Sequence, residues 1–414
     1  MAKGHGLLRG KYAVVGVGET EYSRNSGRTT RQMGVEAVKK AIDDSGLDYD
    51  TTSWGTTCYQ VGDAAGSEII FSDLGVRMDY QVDTWGGGSS SETLIGLAIG
   101  ALEAGLCDAM VVYRTMNGFT EMRIGGTPVG APAGPPPFMT RHGDHTMHSR
   151  IYGIASALQN FGLSFVRHMY EYGTTPEQLA HVKVAHSKGA SNNPKAYYKQ
   201  RLTVDDVLNS RYIVEPFHLL DCCVETDNAT AIVITSTERA RDLPRPNVAI
   251  LGTGGRTHKW SPDYHWNHGP INQVGGIYTK DVVFPNAGIG PEDVDITGSY
   301  DAFTFTTLLQ LEAYGFCPIG EGGHYVSDGT IELGGRRPNN PSGGHLCEGY
   351  THGMNMVIEN VRQLRGEVDD YCEGEHTYDY SEGACRQVQD PQITMNLGWA
   401  QPPTGSSLVM TNQV

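Results

Sequence analysis

Residues 11–18 read KYAVVGVG and residues 247–255 read NVAILGTGG, and this repeated stretch is the strongest indication of the fold. Each copy is an apolar run that ends in glycines, which is typical of a buried strand followed by a tight turn. A second echo follows in the same order, because residues 280–300 resemble residues 39–59: a helix, a Gly-Ile or Gly-Leu end, an acidic loop and a short strand. The chain is therefore predicted to contain two copies of one half.

The segments around the first copy alternate between helix and strand. Residues 29–45 carry apolar side chains at helical spacing and end before Gly46, and residues 91–106 form a strongly apolar helix. Residues 54–60 and 109–113 are short runs typical of buried strands. This alternation predicts an α/β architecture with parallel-type sheets.

The length of 414 residues exceeds that of one ordinary domain. We expect an N-terminal half formed by residues 8–114 and 221–246, and a C-terminal half formed by residues 247–414. Between the two parts of the N-terminal half, residues 115–220 are predicted to form an inserted loop domain. The C-terminal half carries an acidic, tyrosine-rich insert at residues 367–382, which we interpret as a solvated loop or a partner contact.

Composition restricts the partners and the location of the protein. The formal net charge of −16 argues against a nucleic-acid partner. No apolar run approaches the roughly 20 residues of a membrane span, and the N-terminal residues 1–10 contain no signal peptide, so we expect a cytoplasmic protein. The eight cysteines form no CxxC pair, which favours reduced thiols. His145 and His148 have HxxH spacing without a third ligand, so no metal site is predicted.

Three glycine-rich segments bring reactive residues to the ends of predicted elements. The first is residues 84–92 (TWGGGSSSE), where Gly87 and Gly88 lead into a helix. Backbone amides at a helix start can stabilise a developing oxyanion, although a close-packed helix entrance would produce the same pattern. A serine-hydrolase elbow is excluded because Ser91 stands where its last glycine is needed.

The other two segments are residues 298–304 (GSYDAFT) and residues 341–353 (PSGGHLCEGYTHG). Each places a tyrosine, Tyr300 or Tyr350, where a strand or loop turns. Taken alone, tyrosines in such positions are more often packed aromatic side chains whose hydroxyls are hydrogen-bonded.

Together with the repeat, these segments resemble thiolases, and specifically the sterol carrier protein x branch with its bacterial lipid-transfer-protein relatives. Further motifs carry the resemblance: LDCC at 220–223, DNATA at 227–231, QLRG at 363–366 and RQV at 386–388. The resemblance implies the thiolase fold, with two pseudo-repeated halves in a five-layer αβαβα arrangement and a loop domain inserted in the first half.

The sequence departs from that branch at its catalytic positions. Gly87 stands where a thiolase has its nucleophilic cysteine. The branch's His-Asp-Cys-Phe motif is replaced by residues 300–303 (YDAF), and its Gly-His-Pro motif by residues 349–351 (GYT). No acyl-cysteine can form at Gly87, so thiolysis is not expected.

The exchange of two imidazoles for Tyr300 and Tyr350 is similar to the thiolase-fold aldolases of actinobacterial steroid breakdown. This resemblance implies retro-aldol cleavage of 17-hydroxy-3-oxo-4-pregnene-20-carboxyl-CoA to a 17-ketosteroid and propionyl-CoA, with no cofactor besides the CoA of the substrate. One tyrosine would act as base and the other as acid, with the assignment open, and Gly87 and Gly88 would face the thioester oxygen. It also implies a homodimer and a small OB-fold partner.

Four further residues are candidates for supporting roles. Asp301 is expected to hold its loop. His345, Glu348 and His352 flank Tyr350 and either tune it or are exposed polar residues of the loop. The aromatic stretch at residues 260–266 (WSPDYHW) lines a steroid pocket, forms a partner face or covers the core.

Two other functions remain open on the sequence. One is an acyl-CoA acetyltransferase or thiolase that uses another cysteine, for which Cys58, Cys107 and Cys347 are available. The other is a non-catalytic carrier of acyl-CoA or lipid, or a scaffold subunit.

Overall fold

The computed structural model describes residues 6–60, 62–85, 88, 90–121, 152–154, 156–257, 274–368, 378–398 and 404–413. Four sequence predictions concern residues outside these ranges. They are the oxyanion role of Gly87, the His145/His148 pair, the aromatic stretch 260–266 and, for residues 369–377, the acidic insert.

Ten strands of the described chain form one mixed sheet, and two more form a separate pair. The strands are β1 (Tyr12–Glu19), β2 (Trp54–Gln60), β3 (Met78–Gln81), β4 (Thr84–Trp85), β5 (Ala109–Asn117), β6 (Tyr212–Val214), β7 (Phe217–His218), β8 (Asp227–Ser236), β9 (Val248–Thr257), β10 (Ile296–Ser299), β11 (Ile393–Gly398) and β12 (Thr404–Thr411). The order along the sheet is β10-β11-β12-β9-β1-β8-β5-β2-β3, with β4 beside β2, whereas β6 pairs with β7.

The strand pairing repeats between the two halves. In the first half β2 is parallel to β5, which is antiparallel to β8, which is antiparallel to β1. In the second half β10 is parallel to β11, which is antiparallel to β12, which is antiparallel to β9. Among the described strands, a short pairing of β1 with β9 joins the two sets. The predicted duplication of one α/β half is therefore confirmed by the order and direction of the strands.

Twelve α-helices surround these strands in the described chain. They are α1 (Thr30–Ser45), α2 (Ser67–Leu74), α3 (Ser90–Glu103), α4 (Ala157–Tyr172), α5 (Pro176–Ser191), α6 (Val204–Leu208), α7 (Thr237–Ala240), α8 (Gly276–Ala287), α9 (Thr304–Tyr314), α10 (Gly322–Ser327), α11 (Gly344–Cys347) and α12 (Met354–Arg365). The helices predicted at 29–45 and 91–106 correspond to α1 and α3.

The helices form three layers separated by the two sets of strands. Helix α1 packs on strands of the first half alone and α8 on strands of the second half, whereas α3 and α12 contact strands of both halves. Apolar side chains of α3 and α12 share one buried cluster with side chains of both strand sets. The arrangement is thus five-layered, with α3 and α12 in the middle layer.

The glycines of the first strand explain why the quoted stretch determines the packing. A Cβ atom on Gly16 would lie 2.1 Å from the carbonyl oxygen of Ala41, and one on Gly18 would lie 2.2 Å from that of Ala37. Both oxygens belong to α1. Because any side chain at these positions would push α1 away, the glycines set the close approach of helix and strand.

The described part of the predicted insertion lies against the second half. Helix α5 contacts α9, α10 and α11, which all lie between residues 300 and 348 of the second half. Thr175 caps the start of α5 together with Gln178, and Pro176 occupies its first turn. None of the helices in the described ranges combines the length and apolarity needed to cross a membrane.

A buried carboxylate ties three parts of the chain together. Glu19, at the end of β1, accepts hydrogen bonds from Lys195 of the insertion and from Arg362 of α12, and one from the Tyr22 hydroxyl at 2.6 Å. Its side chain is buried. Burial alone would raise the pKa of Glu19, but the charges of Arg362 and Lys195 outweigh it and lower that pKa.

Replacing this carboxylate should weaken the fold in a pH-dependent way. Because the pKa of Glu19 is lower in the folded protein than the unfolded value of about 4.3, its contribution is complete above that value and is lost as the pH falls through the folded pKa. We expect Glu19→Gln to lower the free energy of unfolding by about 3 kcal/mol at neutral pH, with a smaller deficit near pH 3. Urea unfolding at both pH values measures this, with exposed Glu21→Gln as control. A deficit that does not depend on pH would contradict the account.

Candidate active site

Tyr300 is the first residue after β10, and its backbone is fixed from several sides. Its N–H donates to the carbonyl oxygen of Leu397 at 3.0 Å, which extends the β10–β11 pairing by one residue. Its carbonyl oxygen accepts from Gln310 at 2.8 Å and from Thr306 at 2.9 Å, both on α9. The side chain therefore projects from a rigid strand end, and it is buried.

Tyr350 lies in the loop between α11 and α12, and the first half of the chain holds its backbone. Its N–H donates to the Thr226 hydroxyl at 3.1 Å, and its carbonyl oxygen accepts from the Asn228 side chain at 2.8 Å. The hydroxyl groups of Tyr300 and Tyr350 are directly hydrogen-bonded to each other. The structure therefore brings together the two tyrosines that the sequence singled out, 50 residues apart in the chain.

Both tyrosines are neutral at physiological pH. Burial raises the pKa of Tyr300 well above its usual value of 10, and the adjacent Tyr350 raises it further. Burial also raises the pKa of Tyr350, as does the nearby thiol of Cys223. Each phenol can donate a proton, but it can accept one only if it passes its own proton on at the same time.

Asp301 holds the loop on which Tyr350 stands. One carboxylate oxygen accepts from the backbone N–H of His345 at 2.8 Å and the other from that of Leu346 at 3.1 Å. His186 of α5 places its Nδ1 2.9 Å from the second oxygen. Burial would raise the pKa of Asp301, but the hydrogen bond and charge of His186 outweigh it and lower that pKa. This geometry matches the structural role expected for Asp301.

The interpretation of His345, Glu348 and His352 as exposed loop residues is wrong. Their exposed fractions are 0%, 4% and 2%, because the loop that carries them runs through the interior between the two halves. In the interior, each of their polar atoms requires a partner or a function.

His345 packs against both tyrosine rings. Its ring centroid lies 4.9 Å from that of Tyr300 and 4.7 Å from that of Tyr350. Its Nε2 accepts from the backbone N–H of Gly353 at 3.0 Å, so the proton resides on Nδ1, which faces Asp301 at 3.5 Å. Burial lowers the pKa of His345 to about 4, which keeps the imidazole neutral. His345 therefore forms part of the packing around both phenol rings.

Glu348 bonds to neighbours other than the tyrosines. One carboxylate oxygen accepts from Asn193 at 2.9 Å, and the other accepts from Ser342 at 2.7 Å and from Asn355 at 2.8 Å. Burial raises the pKa of Glu348 to about 7. Through Asn193, Glu348 therefore links this loop to the insertion.

Both the backbone and the ring of His352 are held by hydrogen bonds that the sequence did not predict. Its backbone has a positive φ of 58°, which is unusual for a residue with a side chain. Its carbonyl oxygen accepts from the hydroxyls of Ser91 at 3.2 Å and Tyr59 at 3.3 Å. Its Nδ1 accepts from Nε of Arg114 at 3.2 Å. Arg114 is completely buried and ion-paired with Asp63.

Gly88 lies directly beside the tyrosine pair. A Cβ atom on Gly88 would lie 2.1 Å from the hydroxyl oxygen of Tyr300 and 2.3 Å from its Cζ. Gly88 therefore lies beside Tyr300 at the entrance of α3, and its role in binding the thioester oxygen stays a prediction. Four residues later in the chain, Glu92 is buried and accepts from Ser406 at 3.1 Å, and burial raises its pKa to about 7.

The cysteines available for the acyltransferase alternative are buried. Burial raises the pKa of Cys58 and of Cys107 to about 12 and raises that of Cys347 as well, so none is a thiolate at neutral pH. The expectation of reduced thiols fails at Cys385, which is disulfide-bonded. No group of three or more metal-ligating side chains occurs within the described residues.

The sequence reasoning missed the residues that surround the tyrosines from other parts of the chain. They are Tyr59, Glu92, Arg114, His186 and Cys223. One signal was available for Arg114, because a charged residue at the end of the apolar run 109–113 needs a buried partner.

Comparisons with known proteins agree with this architecture. Residues 280–378 match the family described as "Thiolase C-terminal domain-like". The chain is 37% identical over 372 residues to a steroid side-chain-cleaving aldolase of Thermomonospora curvata, covering 87% of this chain and 92% of the relative. It is 36% identical to a 17-hydroxy-3-oxo-4-pregnene-20-carboxyl-CoA lyase of Mycobacterium tuberculosis, covering 87% and 93%. The solved structure of an Ltp2–ChsH2(DUF35) aldolase is 31% identical, with a TM-score of 0.83 over 98% of this chain and 99% of that chain.

Proposed function

The chain belongs to the family of thiolase-fold steroid side-chain-cleaving aldolases, and on that premise we propose that it cleaves a β-hydroxyacyl-CoA by a retro-aldol reaction. The proposed substrate is 17-hydroxy-3-oxo-4-pregnene-20-carboxyl-CoA, and the products are a 17-ketosteroid and propionyl-CoA. The observation that carries the proposal is the buried hydrogen bond between the hydroxyls of Tyr300 and Tyr350.

The net movement of protons in this reaction suits a pair of neutral phenols. Cleavage of the bond between the hydroxyl-bearing carbon and the α-carbon removes one proton from the hydroxyl and adds one proton to the α-carbon. If Tyr350 receives the hydroxyl proton while its own proton passes to Tyr300, and Tyr300 protonates the α-carbon, both tyrosines end the reaction neutral. The relay therefore needs no ionised tyrosine, which is consistent with pKa values raised by burial. The opposite direction of the relay uses the same geometry.

The bond electrons flow to the thioester, whose oxygen becomes an enolate oxygen. Backbone N–H groups at the start of α3, beside Gly88, are proposed to stabilise that charge. The thioester is part of the substrate, and we propose no cofactor. From the sequence alone, we propose that a glycine instead of a cysteine at position 87 removes bulk that a branched α-carbon or a tertiary alcohol of the substrate would otherwise meet.

The assembly is proposed from the same family. We propose a cytoplasmic homodimer that binds a small OB-fold protein, because the solved relative is a complex of an aldolase with a DUF35 chain.

Product analysis tests the reaction. The chain would be co-expressed with a candidate OB-fold partner and given the 17-hydroxy steroid acyl-CoA without free CoA. We expect equal amounts of 17-ketosteroid and propionyl-CoA by mass spectrometry. If products form only when free CoA and a 3-ketoacyl-CoA are supplied, the chain is an acyltransferase. If no product forms in either assay, a carrier or scaffold is favoured.

A further inference from the structure

We infer that the Nε2–H group of His352 donates a hydrogen bond to the thioester oxygen of the substrate as it becomes an enolate. This inference rests on the proposed retro-aldol function and adds an electrophilic residue to it. Among the described residues, the contacts of His352 leave one polar atom of its side chain, Nε2, without a partner.

The tautomer of His352 follows from its neighbour. Arg114 cannot accept a hydrogen bond, so its Nε–H must donate to Nδ1 of His352, at 3.2 Å. Nδ1 therefore carries a lone pair, and Nε2 on the opposite edge of the ring carries the proton. The ion pair with Asp63 fixes Arg114 in turn. Burial and the charge of Arg114 also hold the pKa of His352 well below its usual value, so the imidazole is neutral.

The position of the ring is equally constrained. The imidazole stacks on Tyr59, with 5.5 Å between centroids, and meets the Tyr350 ring edge-to-face at 5.0 Å. The positive φ of His352 is maintained by the two hydroxyls that bind its carbonyl oxygen. A strained backbone that persists only through surrounding contacts is typical of functional sites.

Nε2–H is nevertheless unpaired. No residue of the described chain accepts a hydrogen bond from it, although His352 as a whole is only 2% exposed. The partnerless side-chain atoms that are sealed from solvent include Nδ1 of His345 but not Nε2 of His352, so this donor is accessible to a bound molecule. The substrate presents three atoms whose protonation or charge changes: the hydroxyl oxygen, the α-carbon and the thioester oxygen. The tyrosine pair serves the first two. The third, for which the backbone N–H groups beside Gly88 are proposed as donors, takes a second donor from His352.

A neutral imidazole is well suited to this task. It donates a hydrogen bond to an oxygen that gains charge without itself being a permanent cation that would bind the ground state more tightly. The donor is held in place before the reaction starts, so no reorganisation opposes its effect.

Two substitutions separate this role from a structural one. Gln places an amide N–H near the position of Nε2, but offers Arg114 no acceptor at the position of Nδ1. Asn places an amide oxygen near Nδ1 and tolerates a positive φ, but it has no donor at the position of Nε2. We expect kcat of His352→Asn to fall about 100-fold, with a smaller loss for His352→Gln and little change of KM in either.

A structural role predicts the reverse order, with Asn at least as active as Gln, and that result would overturn the inference. His324→Gln, at an exposed position on α10 away from the site, is the control. Circular dichroism and thermal unfolding establish that each variant folds.

An independent test uses the ¹⁵N chemical shifts of histidine in the wild-type complex, where Nε2 of His352 should be protonated and Nδ1 should not. If the wild-type complex cleaves no substrate, the proposed function fails; if it cleaves and the Asn variant keeps full kcat, only this inference fails.

Discussion

Tyr350→Phe and Tyr300→Phe are each expected to lower kcat by about 10²- to 10⁴-fold, which is the usual contribution of a positioned acid or base. Either substitution removes one oxygen from the relay, and the remaining phenol cannot both accept the hydroxyl proton and reach the α-carbon. The fold should be retained, because both rings keep their packing against His345. Steady-state release of the 17-ketosteroid measures the effect.

The double variant provides a sharper test. Residues that act as one unit give losses that do not add, so the double Phe variant should be no slower than the slower single variant by more than a small factor. Tyr170→Phe, at an exposed position on α4, is the matched control and should be fully active. Near-full activity in both single Phe variants would end the proposal, and strictly multiplicative losses would mean that the tyrosines work independently.

Gly88→Ala is the second substitution for which we expect a large effect. The added Cβ would lie 2.1 Å from the hydroxyl oxygen of Tyr300, well inside van der Waals contact, so Tyr300 or the entrance of α3 must move. A displacement of about 1 Å at a reacting group costs about 100-fold in rate. We expect kcat to fall by at least that factor, while the substrate is still bound.

A matched control lies on α3, the helix that Gly88 precedes. A Cβ atom on Gly100 meets no other atom within 4 Å, so Gly100→Ala should keep full activity and gain slightly in stability. If Gly88→Ala were as active as Gly100→Ala, the reaction rate would not depend on the position of Tyr300. The proposed proton relay through the two hydroxyls would then be wrong.

The sequence predicted those features that depend on neighbours along the chain. The glycines of residues 11–18, the helical spacing of 29–45 and the repeat at 247–255 correspond to β1, α1 and β9 because local patterns of apolar residues and glycines determine such elements. The glycine-rich segments marked Tyr300 and Tyr350 as candidates, but only the motif residues that they replace in the resembling family pointed to catalysis rather than to packed aromatic side chains.

The surroundings of the tyrosines could not be predicted in this way. Arg114 meets His352 across 238 positions of the chain, and His186 meets Asp301 only because α5 folds over the second half. The segment 341–353 is rich in glycine and polar residues, as surface loops are, but every residue in it is buried. A loop of this composition reveals its burial only when the elements that enclose it are known.

The middle layer has a consequence for how the protein is made. Helix α3 buries Leu94, Ile95 and Ile99 in a cluster to which strands of both halves and α12 contribute. During synthesis, a ribosome must add roughly 250 residues beyond α3 before α12 can cover that face, which takes on the order of 10 seconds or more at the usual elongation rates. Until then the nascent first half presents an uncovered apolar helix face, the kind of surface that chaperones bind. Separately expressed halves should therefore aggregate, and the complete chain should acquire its solubility and its tyrosine pair in the same late step.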